Sequence, residues 1–366
     1  MSGLNDTARA NRTVIAFFGL RNAGKSTLVN AFVSQDLAIV SDTPGTTTDP
    51  VAKSMELKPL GPCTVIDTAG LDDEGELGAK RVEKTLSVLA VADIAVWVWG
   101  EDESQGRREF ADFRRKALSS GSVIVEYHRG EDIDAFRRRV AAVSPEVSEP
   151  GLLEGIVRPG ARVLCVCPVD EGAPKGRLIL PQVQVIRACL DAGAVASVCR
   201  PQDVHGGYDL TVTDSQAFAE VASRLGPDEP LTSFSILFAR QKGDLASYLE
   251  GLGRIAALKD GDRVLVAEGC THHRQCGDIG SVKIPAAISR LSGAEVEFVF
   301  ASGGDFPPGD FALAVQCGGC MLTRRETMRR IALARANSCA ITNYGMVLAK
   351  AAGVEVERCV RMLKFS

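Results

Sequence analysis

The stretch that decides the fold is TVIAFFGLRNAGKSTLVNAF, residues 13–32. Thr13 to Phe18 is almost wholly apolar and reads as a buried strand. Gly19 follows, then four residues, then Gly24, Lys25 and Ser26, after which Leu28, Val29 and Phe32 recur on one side of a predicted helix. This is GxxxxGK[ST] in the strand, loop and helix context that gives the motif its chemistry. Gly19, Asn22, Ala23, Gly24, Lys25, Ser26 and Thr27 form the candidate phosphate cradle: loop N–H groups and the helix N-terminus face the anion. Lys25 reaches the outer phosphates, and the Ser26 hydroxyl holds Mg²⁺.

Two further stretches extend this reading. CTVIDTAG (63–70) is a buried strand ending in Asp67, placed to hold Mg²⁺ through water, and Gly70, whose N–H can meet the γ-phosphate. Between them SDTPGTTTDP (41–50) offers threonine hydroxyls for Mg²⁺ once a triphosphate orders the segment. The order of loop, threonine segment and DTAG resembles the small GTPases, in particular the bacterial branch of tRNA-modifying and ribosome-assembly GTPases. That resemblance makes Thr47 the switch threonine and gives Lys25, Thr47, Asp67 and Gly70 the catalytic roles. It also implies a K⁺ ion beside Asn22, although asparagine equally suits a tight loop. Leu71 stands where a water-positioning glutamine is usual, so hydrolysis is expected to be weak, or to use an acidic residue among Asp72, Asp73 and Glu74; a solvated loop is the competing reading. After the strand at 122–125 the guanine-reading NKxD is replaced by Glu126-Tyr127-His128-Arg129, which puts base specificity in question.

Composition sets bounds. The chain has 366 residues, 45% of them apolar and 24% charged, enough for two or three domains with proper cores. A net charge of −4 gives no electrostatic reason to expect nucleic acid, no apolar run is long enough to span a membrane, and the first residues lack a signal-peptide pattern. A cytoplasmic protein is expected. Its eleven cysteines are then reduced thiols, most of them small core residues, as at Cys63, Cys165, Cys167, Cys189, Cys199, Cys339 and Cys359.

Turn-rich sequence near residue 150 marks a boundary, and the α/β pattern that follows carries no second nucleotide motif but suits self-association. At the far end, EGCTHH (268–273) closes a strand read at Arg263–Ala267, and CGGC (317–320) closes one read at Phe311–Gln316. Loops at the carboxyl ends of parallel strands converge, so these soft ligands can share one site. Cys270, Cys317 and Cys320 with His272 or His273 suit zinc; the same three cysteines suit an iron–sulfur cluster with one open iron.

CTHH ahead of CGGC, together with APKGRLILPQVQ, TDSQAF, LTSFSILFAR, KDGDRVL and ITNYG behind a P-loop domain, resembles the HydF family of FeFe-hydrogenase maturation GTPases over essentially the whole chain. The resemblance implies an α/β protein of three parts: a P-loop GTPase domain (1–148), a small α/β dimerisation domain (149–228) and an α/β cluster-binding domain (229–366). It implies a 4Fe-4S cluster on Cys270, Cys317 and Cys320, GTP with Mg²⁺, and a homodimeric scaffold. Such a scaffold receives a transient diiron precursor from two radical-SAM maturases and passes it to apo FeFe-hydrogenase. Gln316 replaces the family's histidine before CGGC, leaving Glu268, His272, His273 or Cys276 as fourth ligand or precursor contact, with Glu268 favoured as a weak, exchangeable oxygen donor. Lys283, Arg324 and Arg325 are candidate charges for an anionic precursor. Competing functions are a cluster carrier or regulator with impaired guanine recognition, and a tRNA-modification or ribosome-associated GTPase.

Overall fold

A computed structural model describes residues 12–33, 51–73, 75–104, 106–143, 150–169, 178–269, 278–303 and 306–363. The chain divides into two units, Met1–Ser148 and Glu149–Ser366.

In the first unit, β1 (Thr13–Phe18), β2 (Val51–Leu57), β3 (Gly61–Asp67), β4 (Ile94–Val98) and β5 (Val123–Tyr127) form a sheet in the order β2-β3-β1-β4-β5. All neighbours pair in parallel except β2, antiparallel to β3. Helices α1 (Lys25–Val33), α2 (Gly75–Leu89), α3 (Arg107–Ser119) and α4 (Ile133–Ala142) connect the strands. Because successive strand residues face opposite sides, β1 feeds two cores. Phe17 meets Phe32 and Phe136 on one face, at ring separations of 5.4 and 6.4 Å, while Phe18 meets Phe113 on the other at 5.1 Å. The expected strand and helix around the P-loop are therefore β1 and α1, with the loop at the sheet's carboxyl edge.

The second unit holds two parallel four-stranded sheets. The first joins β6 (Arg162–Val166), β7 (Val195–Cys199), β8 (Leu210–Thr213) and β9 (Leu231–Ser233) in the order β7-β6-β8-β9. The second joins β10 (Arg263–Ala267), β11 (Glu297–Ala301), β12 (Leu313–Gln316) and β13 (Ala340–Asn343) in the order β11-β10-β12-β13. The helices are α5 (Leu180–Asp191), α6 (Phe218–Arg224), α7 (Phe234–Lys242), α8 (Leu245–Arg254), α9 (Ile284–Ser292), α10 (Arg324–Ala336), α11 (Tyr344–Ala351) and α12 (Val356–Val360).

These sheets are the same sheet twice. Arg162 opposes Val195 as Arg263 opposes Glu297; Val163 opposes Leu210 as Val264 opposes Leu313; Thr211 opposes Leu231 as Ala314 opposes Ile341. The Arg162 guanidinium lies 4.7 Å from the Tyr208 ring, and that of Arg263 lies 4.9 Å from the Phe311 ring, at matching positions. Elements also cross between the halves: α12, which follows the second sheet, packs on β9, and α7, which follows the first, packs on α10 and α11. One continuous core, from Leu152 to Leu363, results. The sequence reading did not detect this repeat. It also divided the chain after residue 228, whereas β9 pairs with β8 and belongs to the first sheet. We therefore propose a division after α7, near Gly243; the short β9 strand, followed at once by an apolar helix, gave no strand signal.

Candidate functional site

At the P-loop, Gly19 (φ 152°) and Gly24 (φ 89°) adopt positive φ, and a Cβ on Gly19 would fall 2.6 Å from the Val98 carbonyl oxygen. Only glycine fits there. Asn22 sits at φ 62°, the left-handed conformation that asparagine tolerates best, which accounts for this residue by backbone geometry alone. Lys25 is buried, and its Nζ donates to the carbonyls of Gly19 (3.2 Å) and Leu20 (2.7 Å); burial lowers its pKa against the attraction of Asp67, Asp72 and Asp73. Ser26 Oγ donates to Asp67 Oδ2 at 2.5 Å, bringing together the two groups expected at Mg²⁺. Asp67 Oδ1 is buried without a hydrogen-bond partner among the described residues. A carboxylate with one oxygen on a serine hydroxyl and the other unspent suits a hydrated Mg²⁺.

Ala23 is buried at the loop, and Thr27 is exposed on the first turn of α1. Gly70 packs against the loop so closely that a Cβ would lie 2.8 Å from the Arg21 amide nitrogen. Asp72 accepts from the Arg21 N–H at 2.6 Å, so it is a brace of the P-loop and not a free acid. Asp73 lies 3.9 Å from Arg81. Glu74 and the switch threonine Thr47 lie outside the described residues.

The base-reading end has been rebuilt. Glu126 Oε2 accepts the indole N–H of Trp99 (2.8 Å), His128 stacks on the same indole (6.1 Å, 16°) and bonds Glu103 (2.6 Å), and Arg129 pairs with Glu101 (2.6 Å). Tyr127 donates to the Glu131 carbonyl (3.3 Å) and packs on Phe136, so each residue in the NKxD positions has a local role other than a guanine contact.

In the second unit, β10 and β12 are parallel neighbours, so their carboxyl ends adjoin. The Gly269 N–H donates to Cys317 Sγ at 3.1 Å, tying the residue before Cys270 to the CGGC turn. Cys317 and Cys320 are partly exposed thiols. Burial raises the Cys317 pKa, opposed by N–H groups of Gly319 and Gly269 and by Arg330, with Glu268 pushing it further up. Burial and the neighbouring Cys317 push Cys320 up to about 11, against the Lys242 ammonium. Gly319 turns at φ 73°, a conformation that favours glycine, and a Cβ on Gly318 would crowd Ser235 at 3.0 Å from its Oγ, so both positions suit glycine. Thiols that already accept backbone N–H groups, on a turn beside buried cations, fit the donor set of an iron–sulfur cluster. Glu268 reaches beside Gly280 and the Tyr344 hydroxyl, since a Cβ on Gly280 would come 2.2 Å from its Oε1 and 2.8 Å from the Tyr344 oxygen. Cys270, His272, His273 and Cys276 lie outside the described residues.

The expected surface cations are engaged elsewhere: Arg324 Nη1 donates to the Gln241 carbonyl (2.6 Å), and Lys283 donates to Gln216. Lys242 lies beneath the CGGC turn and Arg330 near Cys317, both buried; neither is legible in the sequence, because nothing local distinguishes a buried cation in a helix from an exposed one. Gln316 is buried too, its amide 3.4 Å from the Tyr248 hydroxyl. The motifs LTSFSILFAR and ITNYG gain a structural reason. Ser233 Oγ accepts from the Ile236 N–H and Asn343 Oδ1 from the Gly345 N–H, capping α7 and α11 at matching positions. Ser235 Oγ then donates to Asn343 Oδ1 (3.1 Å), and Asn343 Nδ2 to the Cys317 carbonyl (3.4 Å), so the crossing of the two halves supports the CGGC turn.

Comparison with known proteins follows these divisions. Residues 14–126 match the model of the 50S ribosome-binding GTPase family, residues 152–243 that of the hydrogen maturase F dimerization domain, and residues 246–362 that of the hydrogen maturase F tetramerization domain. GTPase Der of Nitrobacter winogradskyi is 41% identical over 127 residues, covering 33% of this chain and 27% of that protein. The tRNA modification GTPase MnmE of Erythrobacter litoralis is 35% identical over 131 residues, covering 34% and 31%. The chain thus spans under a third of the length of these curated relatives. An Aquifex aeolicus Era variant bound to GDP and aluminium fluoride is 14% identical with a TM-score of 0.24, covering 79% of this chain and 93% of that one. Two segment models specific to one family, in order behind a P-loop GTPase domain, account for nearly all of the second unit: the chain belongs to the hydrogen maturase F (HydF) family.

Proposed function

We propose that this protein is a maturation scaffold for FeFe-hydrogenase. It would hold a 4Fe-4S cluster on Cys270, Cys317 and Cys320, with Glu268 as an exchangeable fourth ligand, and carry a diiron precursor from radical-SAM maturases to the apo-hydrogenase. The observation that carries the reading is the 3.1 Å bond from the Gly269 N–H to Cys317 Sγ, which holds the strand end leading into Cys270 against the CGGC turn. The cluster would supply an iron on which the precursor docks; the chain's own part is to fix the thiols, lend them N–H donors and keep their surroundings cationic. At the other end, Lys25, Ser26 and Asp67 would bind GTP with Mg²⁺, and the absence of a glutamine at Leu71 supports slow hydrolysis.

Self-association accords with the two segment names and with exposed apolar residues on the first of them. Val183 and Leu190, seven residues apart on one side of α5, and Val195 and Val198 on the two sides of the edge strand β7 are each about half or more exposed. Exposed apolar residues on an edge strand and its helix suit an interface.

The experiment is anaerobic reconstitution with ferrous iron and sulfide, followed by EPR of the reduced protein beside Cys317→Ala. A 4Fe-4S signal absent from the variant is expected; zinc bound in its place, with no signal, would overturn the scaffold reading. A second reading, a HydF-like carrier with altered base preference, is favoured by the Trp99, Glu126 and His128 cluster. Equal affinities for GTP and ATP would select it.

A further inference from the structure

Lys242 and Arg330 are 1% and 0% exposed, and neither belongs to the thiol motif. Lys242 ends α7, in the first half of the second unit, yet its ammonium points into the CGGC turn of the second half. Its Nζ donates to the carbonyls of Gly319 (3.3 Å) and Leu322 (2.8 Å). Gly319 lies between the two cysteines, so the charge sits directly beneath the turn.

Arg330 approaches from α10. Its Nε donates to Glu326 Oε1 (2.9 Å) and its Nη2 to the Gly303 carbonyl, while Nη1 is buried without an acceptor among the described residues. Glu326 is shared with Arg329, 2.8 Å away. Both cations lie near enough to the thiols to attract negative charge there, Arg330 at Cys317 and Lys242 at Cys320. Burying two cations beside one turn is costly, and an anion bound at that turn would offset the cost.

We propose that Lys242 and Arg330 form a buried cationic floor under the Cys317–Cys320 turn, which offsets the negative charge of the thiolate-bound cluster and raises its reduction potential. The inference rests on the cluster reading above and adds the residues that tune it. Reduction adds one electron to a site that is already anionic, and nearby buried cations favour the reduced form. Because Lys242 comes from the segment matched by the dimerization model, the cluster site is completed by both halves of the duplicated unit.

The test uses the full-length protein, reconstituted anaerobically, with the midpoint potential followed by EPR and iron counted per chain. Lys242→Met and Arg330→Gln should keep the wild-type iron content and shift the midpoint to more negative values, while Lys242→Arg stays near wild type. Unshifted midpoints at full iron content overturn the proposal. If Lys242→Met loses its iron, retention in Lys242→Arg with a negative shift in Arg330→Gln supports it; loss in both lysine variants with an unshifted Arg330→Gln overturns it. Wild-type protein that takes up no iron and sulfide removes the cluster reading itself, and the inference with it, an outcome visible before any variant is made.

Discussion

Asp67 answers to two opposed demands. Holding Mg²⁺ needs an ionised carboxylate, but burial raises its pKa, resisted by the Ser26 hydroxyl and by the charges of Lys25 and Lys53. A carboxyl raised in the folded state contributes stability below its unfolded pKa and loses it as pH rises through the folded value. At neutral pH the ionised group therefore works against the fold. Asp67→Asn is expected to melt at the same temperature as wild type or higher without nucleotide, and to lose GTP hydrolysis by a factor on the order of 100. A variant melting several degrees lower would show that the charge stabilises the loop instead. This site was legible because loop, lysine, serine and aspartate are set by local spacing. The role of Asp72 was not, since a carboxylate that braces the Arg21 N–H looks in sequence like any acid of a switch loop.

Among the elements, α8 and β13 approach closely. A Cβ on Gly251 would fall 2.0 Å from the Ile341 carbonyl oxygen, part of the backbone, so nothing flexible can give way. Gly251→Ala should destabilise by about 2–3 kcal/mol, the usual cost of overpacking, read as a fall in urea midpoint; a neutral result would mean that α8 stands off β13. At the α5 and β7 face the expectation concerns association. Leu190→Glu with Val195→Lys, both at exposed positions, should reduce oligomer mass in light scattering while leaving circular dichroism unchanged. An oligomer of undiminished mass would place the interface elsewhere. The strands of each sheet were readable from apolar runs, but β9, with its three residues, was too short for periodicity to register.

For the second unit as a whole, α12 packs on β9 while α7 packs on α10, α11 and β13, so a cut near Gly243 divides one core and neither half can bury its share by itself. Residues 150–243 and 244–366 expressed separately should be unfolded or aggregated, and 150–366 should fold; a folded 244–366 piece that binds iron would refute the interlocked arrangement. The buried thiols add a pH dependence. Burial pushes Cys339 up to about 11 and Cys63, Cys167 and Cys359 up to about 12, from an ordinary 9.0. Their stability contribution is full below pH 9.0, where both states hold the proton, and is lost as pH rises toward the folded values, because the unfolded thiols ionise first. The unloaded protein's urea midpoint should be flat to about pH 8.5 and fall above 9, with a shallower fall in Cys359→Val; a midpoint rising over that window would contradict the burial.

By itself the sequence determined the P-loop, the DTAG segment, the loss of NKxD and the thiol pair of the CGGC turn, because each motif is written in contiguous residues whose spacing enforces its geometry. Only the tertiary structure decided what surrounds them. The repeat is carried by strand register and not by residue identity: Asp214 and Cys317 occupy matching positions with unlike side chains. Lys242 reaches the CGGC turn from α7, and a lysine that serves a turn far along the chain carries no local mark of its destination.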